Sequence, residues 1–323
     1  MTHEKMDASG GAVDSAAADW FFLASDPRGK RRDPAWAEFF HSAASIEDNC
    51  VALVRESLQN SMDAAQEGTE SVTVRFALAG PASAVPRGRA DQYFGRLAEH
   101  VRASDLGGPD HASDCQFLVV EDFGTTGLLG DPTSVKEPDQ DEKNHYYYFF
   151  RHEGKSGKQH AQRGRWGIGR FVFPMSSQLY SIVALTIRDD SIGDSPEPLL
   201  MGNSVLKVHD LDGRTYEPDG YWGEVTDESM PIQPFQGSEV IEAFTQDFRL
   251  TRAGDPGLSV VVPYIEAGWT TSKLVTAIVQ DYFVPVANGR LTVIVEDLDA
   301  ESQTVISQDT LHAIVEASDV ARS

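Results

Sequence analysis

A carboxylate, an amide and a second carboxylate lie close together in one short stretch of the chain. Glu56, Asn60 and Asp63 belong to the segment 51–65, which otherwise carries apolar residues at helical spacing. At about 100° per residue, a helix would place the three within about 60° of one another, opposite its apolar side. Such a row of short polar side chains can hold a hydrated cation and a water molecule. It is also compatible with an ordinary solvated helix face.

A second polar cluster follows an apolar run. Residues 116–121 are typical of a buried strand, and Asp122 comes directly after them. Gly124 and Gly127 follow shortly afterwards. A strand end holds an acidic side chain in place, and glycines let the backbone come close to a flat or charged ligand. This order of residues predicts a ligand-facing carboxylate at Asp122.

A third cluster is a glycine run formed by Gly164, Gly167 and Gly169, with Arg170 directly after it. Glycines that open a helix leave backbone N–H groups at its positive end, which favours an anion site. The long segment 128–163, which separates the second cluster from the third, alternates between polar and aromatic residues. A segment of this length inside a domain is functional or disordered, and we interpret it as a mobile lid.

These three clusters, in this order, resemble the motifs of the GHKL or Bergerat-fold ATPase superfamily, the gyrase, heat-shock chaperone, histidine kinase and mismatch-repair ATPase type. The sequence E-x-x-x-N-x-x-D-A at Glu56–Ala64 resembles the N box of that superfamily. The runs Asp122–Gly127 and Gly164–Gly169 resemble its two glycine boxes, between which the family keeps its lid. Gly257–Ser259 resembles the late Gly-Thr strand, with Ser in place of Thr. The resemblance covers roughly residues 45–265.

The resemblance implies a role for each matching residue. Glu56 would be the general base that orients the attacking water, and Asn60 would ligate Mg²⁺. Asp63 would support the nucleotide pocket from the same helix face. Asp122 would accept a hydrogen bond from the adenine amine, and Ser259 would reach the adenine through a water.

The resemblance also implies roles for the glycines. Gly124 and Gly127 would let the backbone approach the base and the ribose, while Gly164, Gly167 and Gly169 would wrap the phosphates. Basic side chains near the third cluster are candidates for contact with the γ-phosphate, or else for ordinary solvated surface; they are Lys155, Lys158, Arg165 and Arg170.

The predicted function is Mg²⁺-dependent ATP binding and hydrolysis to ADP and phosphate, which would drive lid closure and gate a homodimer or a contact with a partner protein. Phosphoryl transfer to water needs positioning and charge neutralisation more than covalent help, and the Glu56–Asn60 pair can supply both. One alternative is an ATP-dependent binding or dimerisation switch with little hydrolysis. Another is a relative of the protein kinases. The first glycine box, DFGTTGL, is one residue longer than the common D-x-G-x-G spacing, which puts the detailed glycine contacts in question.

Two other motifs fail on their context. Asp122–Gly124 spells the DFG of protein kinases, but no HRD loop or VAIK strand accompanies it. Gly154–Ser156 mimics the end of a P-loop, but Phe149 stands where that motif needs its first glycine.

Bulk properties narrow the class of protein. The net charge of −23 opposes direct binding to a nucleic-acid backbone. No apolar run approaches the ~20 residues that span a bilayer, and the first residues lack the apolar core of a secretory signal. Cys50 and Cys115 fit neither a zinc motif nor a disulfide framework. We therefore expect a reduced, cytoplasmic protein.

The expected fold is an α/β (α+β) two-layer sandwich with a mixed, mainly antiparallel sheet covered by helices on one face. We expect a flexible arm at 1–32, one ATP-binding domain at 33–300 and a tail at 301–323. Helices are predicted from about 46 to 67, and at 91–102, 239–248 and 271–283, the last with Leu274, Ile278 and Phe283 inward. Strands are predicted at 71–79, 116–121, 179–188, 199–208, 257–263 and 290–296.

Overall fold

The computed structural model describes residues 19–26, 28, 46–134, 136–139, 144–152, 171–189, 197–226, 231–237 and 239–317. In this part of the chain the strands are β1 (Trp20–Ala24), β2 (Val72–Ala79), β3 (Phe117–Phe123), β4 (Ser181–Ile187), β5 (Leu199–Val205), β6 (His209–Leu211), β7 (Arg214–Trp222), β8 (Phe235–Gln236), β9 (Gly257–Pro263), β10 (Leu291–Asp297) and β11 (Ser302–Ile306). The helices are α1 (Ile46–Asp63), α2 (Arg87–Ala103), α3 (His145–Phe150), α4 (Val172–Met175), α5 (Glu239–Asp247), α6 (Thr271–Ala287) and α7 (Leu311–Ala317).

The described strands form one mixed, mainly antiparallel sheet, which confirms the predicted α/β class. Its strand order is β1-β7-β5-β4-β9-β3-β2-β10-β11, with β6 on β7 and β8 on β5. The pairing of β2 with β10 is parallel, and the other pairings are antiparallel. Because β3 lies between β2 and β9 near the middle of this order, Asp122 comes at the end of a central strand.

The sheet is covered by helices on both faces. Successive side chains of a strand point to opposite faces. In β3, Leu118 and Val120 belong to a core with residues of α1 and α6, whereas Phe117 and Val119 belong to a second core with α2 and α5. The predicted helical layer is therefore joined by a second helical layer on the opposite face. We call the two surfaces of the sheet the α1 face and the α2 face.

Helix α1 is fixed by its apolar side. Leu53, Val54 and Leu58 are fully buried against the sheet and α6, and each buried side chain of this size contributes about 2 kcal/mol to stability. At the neighbouring helix, the Tyr282 hydroxyl donates to the Arg55 carbonyl over 2.7 Å. These contacts fix the rotation of α1 about its axis, so the polar row of the helix faces away from the sheet.

Helix α6 departs from the predicted pattern near its end. Phe283 is 47% exposed rather than inward, and Tyr282 is buried in its place. Tyr282 has the non-helical angles φ −121° and ψ 20°, and Pro285 follows within the same helix. Because proline cannot donate the helical hydrogen bond and crowds the preceding turn, it breaks the regular spacing on which that prediction depended.

Parts of both chain ends belong to the sheet. Within the predicted N-terminal arm, β1 pairs with β7, and the Trp20 indole nitrogen donates to the Tyr93 carbonyl over 2.8 Å. Within the predicted C-terminal tail, β11 pairs with β10, and Leu311 of α7 is buried. Among the described helices, none combines the length and apolar character that a bilayer crossing requires.

Candidate functional site

The polar row of α1 lies at the protein surface, as its spacing predicts. Glu56 is half-buried, and Asn60 and Asp63 are exposed. The Asn60 amide nitrogen donates to Glu56 Oε1 over 2.8 Å. An amide whose nitrogen faces Glu56 turns its oxygen away from that carboxylate. The pair therefore presents a carboxylate and, pointing away from it, an amide oxygen, and both are oxygen groups suited to a water molecule or a hard cation.

The Asp122 carboxylate is buried on the α1 face, where only 7% of the residue is exposed. Its Oδ1 accepts hydrogen bonds from the Thr125 hydroxyl over 2.6 Å and from the Leu258 backbone N–H over 2.7 Å. Its Oδ2 accepts from the Ser61 hydroxyl of α1 over 3.0 Å. A carboxylate oxygen has two lone pairs, so Oδ2 has capacity for a further donor beyond Ser61.

The turn after β3 joins Asp122 to the end of α1. Backbone hydrogen bonds connect Gln66 N to the Gly124 carbonyl over 3.0 Å and Thr126 N to the Ala64 carbonyl over 2.9 Å. These bonds hold the C-terminal end of α1 beside the strand end. The structure thus brings the first two predicted clusters together, with Ser61 as the side-chain link between them.

Gly124 and Gly127 are required by the close packing of the chain on itself. Both have positive φ angles, of +76° and +67°. A Cβ on Gly127 would lie 2.2 Å from the Ile187 carbonyl oxygen, and one on Gly124 would lie 3.1 Å from a methyl group of Thr69. Glycine is the residue that allows such a backbone at no steric cost. The predicted approach of these two residues to a base and a ribose is a separate matter and stays a prediction.

Ser259 does not lie beside Asp122. It pairs with Glu121 across β3 and β9, and its hydroxyl donates to Glu121 Oε1 over 2.8 Å on the α2 face. The predicted water-mediated contact of Ser259 with adenine therefore does not fit this geometry. The physical reason is the strand period of two residues, which sends Leu258 to the α1 face and Ser259 to the opposite one.

The third cluster falls outside the residues that the structure describes. The residues outside the description include 153–170, and therefore Gly164, Gly167, Gly169 and Arg170. They also include positions 135, 140–143 and 153–163 of the predicted lid at 128–163. Of that lid segment, the structure describes residues 128–134, 136–139 and 144–152, which include α3. The predicted phosphate contacts of the glycine run stay predictions.

Sequence reasoning missed two residues that hold Asp122. Ser61 directly follows Asn60 and lies on the side of α1 that is turned toward the sheet, where it is buried. Arg252 lies in the loop before β9, far from Asp122 in sequence, and its guanidinium approaches Asp122 Oδ1 to 3.8 Å. The position of Ser61 on the helical wheel could have identified it. No local signal could have identified Arg252, because its position depends on the pairing of β9 with β3.

The electrostatics of the site follow from burial. Burial raises the pKa of Asp122 above the ordinary range of a carboxyl, and the hydrogen bonds from Thr125, Leu258 and Ser61 and the charge of Arg252 oppose that rise. Burial also lowers the pKa of Arg252, against the charges of Asp122 and Glu121. A buried carboxylate such as that of Asp122 is strongly stabilised by one more hydrogen-bond donor.

The candidate site combines carboxylate, amide and hydroxyl groups from α1 and β3. The described residues contain no group of three or more His, Cys, Asp or Glu side chains arranged to hold a metal ion. Mg²⁺ usually binds to one or two protein oxygens together with phosphate and water oxygens. The amide oxygen of Asn60 would be one such protein ligand. A separate cavity of about 250 Å³ lies along α2, and none of the predicted site residues lines it.

A scan against protein-family models and a search of curated proteins return no match. A search of solved structures returns the 43K ATPase domain of Thermus thermophilus gyrase B in complex with an aminocoumarin, with a TM-score of 0.34 and 13% sequence identity. The alignment covers 82% of this chain and 48% of that one, so this chain spans about half the length of the structure it matches.

Proposed function

We propose that this chain binds ATP with Mg²⁺ and hydrolyses it to ADP and phosphate. One observation supports this most directly, namely the convergence of Asp122 with the polar end of α1. The buried Asp122 carboxylate has acceptor capacity at Oδ2, and its donor there is Ser61, the residue of α1 that directly follows Asn60 of the Glu56–Asn60 pair. A base amine and a hydrated phosphate chain would use these two features together.

Each described residue has a definite part in this proposal. Asp122 accepts the hydrogen bond of the adenine amine, and its other donors keep the carboxylate in one orientation. Asn60 offers its amide oxygen to Mg²⁺, which when bound neutralises phosphate charge. Glu56 orients a water and takes its proton at a carboxylate oxygen as that water attacks the terminal phosphorus, while the bond from that phosphorus to the bridging oxygen breaks and ADP leaves. Asp63 supports the same row, and Gly164–Gly169 with Arg170 would contact the phosphates.

The substitution Glu56→Gln tests the catalytic step. The glutamine oxygen can still accept from the Asn60 amide, but it cannot take a proton. We expect ATP affinity within about twofold of the unaltered chain, and phosphate release slower by about 10²-fold or more. Equilibrium binding and a phosphate-release assay measure the two effects.

The matched control for this experiment is Glu67→Ala, which removes an exposed carboxylate just beyond α1 and should change neither quantity. Unchanged phosphate release in Glu56→Gln would exclude Glu56 as the base. Tight ATP binding without phosphate release by the unaltered chain would exclude hydrolysis. The predicted gating of a dimer or partner contact needs a size measurement with ATP and with ADP.

A further inference from the structure

The support behind Asp122 centres on one buried arginine. Arg252 lies in the loop between α5 and β9, and its side chain is fully buried. A guanidinium has five N–H donors. Each nitrogen of Arg252 finds acceptors from β3, from β9 or from its own loop: the Ser259 hydroxyl and the carbonyls of Asp255, Pro256 and Leu258, all at 3.0 Å, and the carbonyl of Asp122.

These contacts tie together the two strands that frame the candidate site. The same guanidinium nitrogen donates to the carbonyls of Asp122 in β3 and of Leu258 in β9. The Leu258 N–H in turn donates to Asp122 Oδ1. Arg252 therefore fixes both the backbone that carries the carboxylate and the strand that supplies one of its donors.

The Arg252 side chain is closely packed by its neighbours. Gly257 has φ +143°, and a Cβ there would lie 2.5 Å from a terminal nitrogen of Arg252 and 2.8 Å from Asp122 Oδ1. The Arg252 guanidinium also lies over the Phe123 ring, 4.9 Å from its centroid. A side chain held this closely cannot turn away without moving Asp122.

The charge of Arg252 acts on Asp122 as well. Among the described residues, Arg252 is the charged side chain that favours the ionised form of this carboxyl, while α1 contributes the Ser61 hydroxyl and β9 a backbone N–H. Burial works in the opposite direction. A neutral carboxyl would carry a proton on one oxygen and would present a different pattern of donors and acceptors to a base.

We propose that Arg252 is a positioning residue that sets the orientation of Asp122, and through it the preference of the site for a 6-amino purine over a 6-oxo purine. This inference rests on the proposed function, because it assumes that Asp122 receives the base. Arg252 itself touches no ligand in this arrangement. Its effect is expected in base selectivity more than in overall affinity.

The test compares the affinities of ATP and inosine triphosphate, which differ in the group at position 6. In Arg252→Met we expect the ratio of the two affinities to fall about tenfold, the loss typical of one charged hydrogen bond. We also expect the acid midpoint of ATP binding to move to higher pH, because the positive charge is gone. In the double variant with Asp122→Asn, the ratio should fall no further than in Asp122→Asn alone.

Arg75→Met is the matched control, because Arg75 is another buried arginine of the same polar network and contacts Glu121 rather than Asp122. It should lower stability and leave the ATP to inosine triphosphate ratio unchanged. If the methionine variants do not fold, Arg252→Lys and Arg75→Lys replace them. The lysine at 252 keeps the charge but has three donors, and we expect the ratio to fall several-fold there and not at 75.

The outcomes separate the two proposals. If the unaltered chain does not bind ATP, the proposed function fails and this inference fails with it. If it binds ATP and Asp122→Asn lowers the ratio, but the Arg252 variants change only stability, then Arg252 is a structural residue and this inference alone is overturned. An equal fall of the ratio in the Arg75 variants would also overturn it.

Discussion

Two adjacent acidic residues at the end of β3, Glu121 and Asp122, point to opposite faces of the sheet and differ in how many hydrogen-bond donors surround them. Glu121 points to the α2 face and is fully buried. Its two oxygens accept hydrogen bonds from side-chain and backbone donors at 2.7 to 3.3 Å, supplied by Arg75, Thr251, Arg252 and Ser259. Asp122 points to the α1 face and keeps one oxygen with a single side-chain donor from the described residues, Ser61.

The difference shows which carboxylate is structural. The donors around Glu121 are numerous enough to occupy its lone pairs, and the ion pair with Arg75 at 2.8 Å compensates its charge. Asp122 has fewer donors and a more distant arginine, so its burial is less well compensated. A carboxylate that the fold satisfies incompletely is a candidate for ligand binding.

The largest expected effect is the loss of stability in Glu121→Gln. This change removes the fully buried anion that pairs with Arg75 at 2.8 Å and leaves Glu296 as the acidic side chain still paired with Arg75. Breaking a buried ion pair costs about 3–5 kcal/mol. Urea denaturation measures the loss. Glu296→Gln is the control, because Glu296 also pairs with Arg75 but its side chain is 23% exposed, and about 1 kcal/mol is expected there. Equal losses in the two variants would contradict the central role of Glu121.

Asp122→Asn should give the opposite result. The amide oxygen can still accept from Thr125 and Leu258, while the bond to Ser61 reverses so that the amide nitrogen donates to the serine oxygen. The amide also no longer holds a charge in a buried place. We expect unfolding free energy equal to that of the unaltered chain or up to about 1 kcal/mol higher, with ATP affinity at least about tenfold lower. Denaturation and equilibrium binding measure these quantities. A variant that loses stability as Glu121→Gln does would remove the contrast between the two residues.

The local pattern of the sequence was enough to place the polar row of α1 and the carboxylate at the end of β3. Helical and strand periods are local properties, and each cluster depends on one period only. The face of Ser259 could not be predicted in this way. Strand β9 is buried on both sides, so its residues do not alternate between apolar and polar, and the sequence does not show which of them face α1.

Contacts between distant segments were beyond the reach of that reasoning. Arg252 reaches Asp122 because β9 pairs with β3, and nothing near Arg252 in sequence indicates that pairing. The kink of α6 at Tyr282 likewise turned Phe283 outward against the helical period. Tertiary packing decided the position of Arg252, and the kink in a helix that contains Pro285 decided that of Phe283. A periodic pattern describes only a regular segment on its own.

The pH dependence of stability tests whether the buried charge of Asp122 is incompletely compensated. Burial raises the folded pKa of Asp122 above the ordinary value of 3.8, so the folded chain holds that proton more tightly than the unfolded chain. The contribution of Asp122 to stability is therefore greatest below about pH 3.8 and falls as the pH rises through the folded pKa. The unaltered chain should lose stability relative to Asp122→Asn over this window. Urea denaturation between pH 4 and 7 measures the difference, and a difference that stays constant or grows in favour of the unaltered chain would contradict the assignment.

The smallest effects come from two serines, one on each face. Ser61→Ala and Ser259→Ala each remove one hydroxyl donor from a buried carboxylate, and each should cost about 1 kcal/mol of stability. Their effects on ATP binding should differ. Without Ser61 the orientation of Asp122 is less restricted, and we expect affinity to fall about three- to tenfold. Without Ser259, Glu121 loses one donor and Arg252 one acceptor, but Arg252 keeps the carbonyls of Asp122 and Leu258, so affinity should stay within about twofold. Because the two substitutions are chemically identical, equal changes in affinity would mean that the two faces of the sheet do not divide binding from stability.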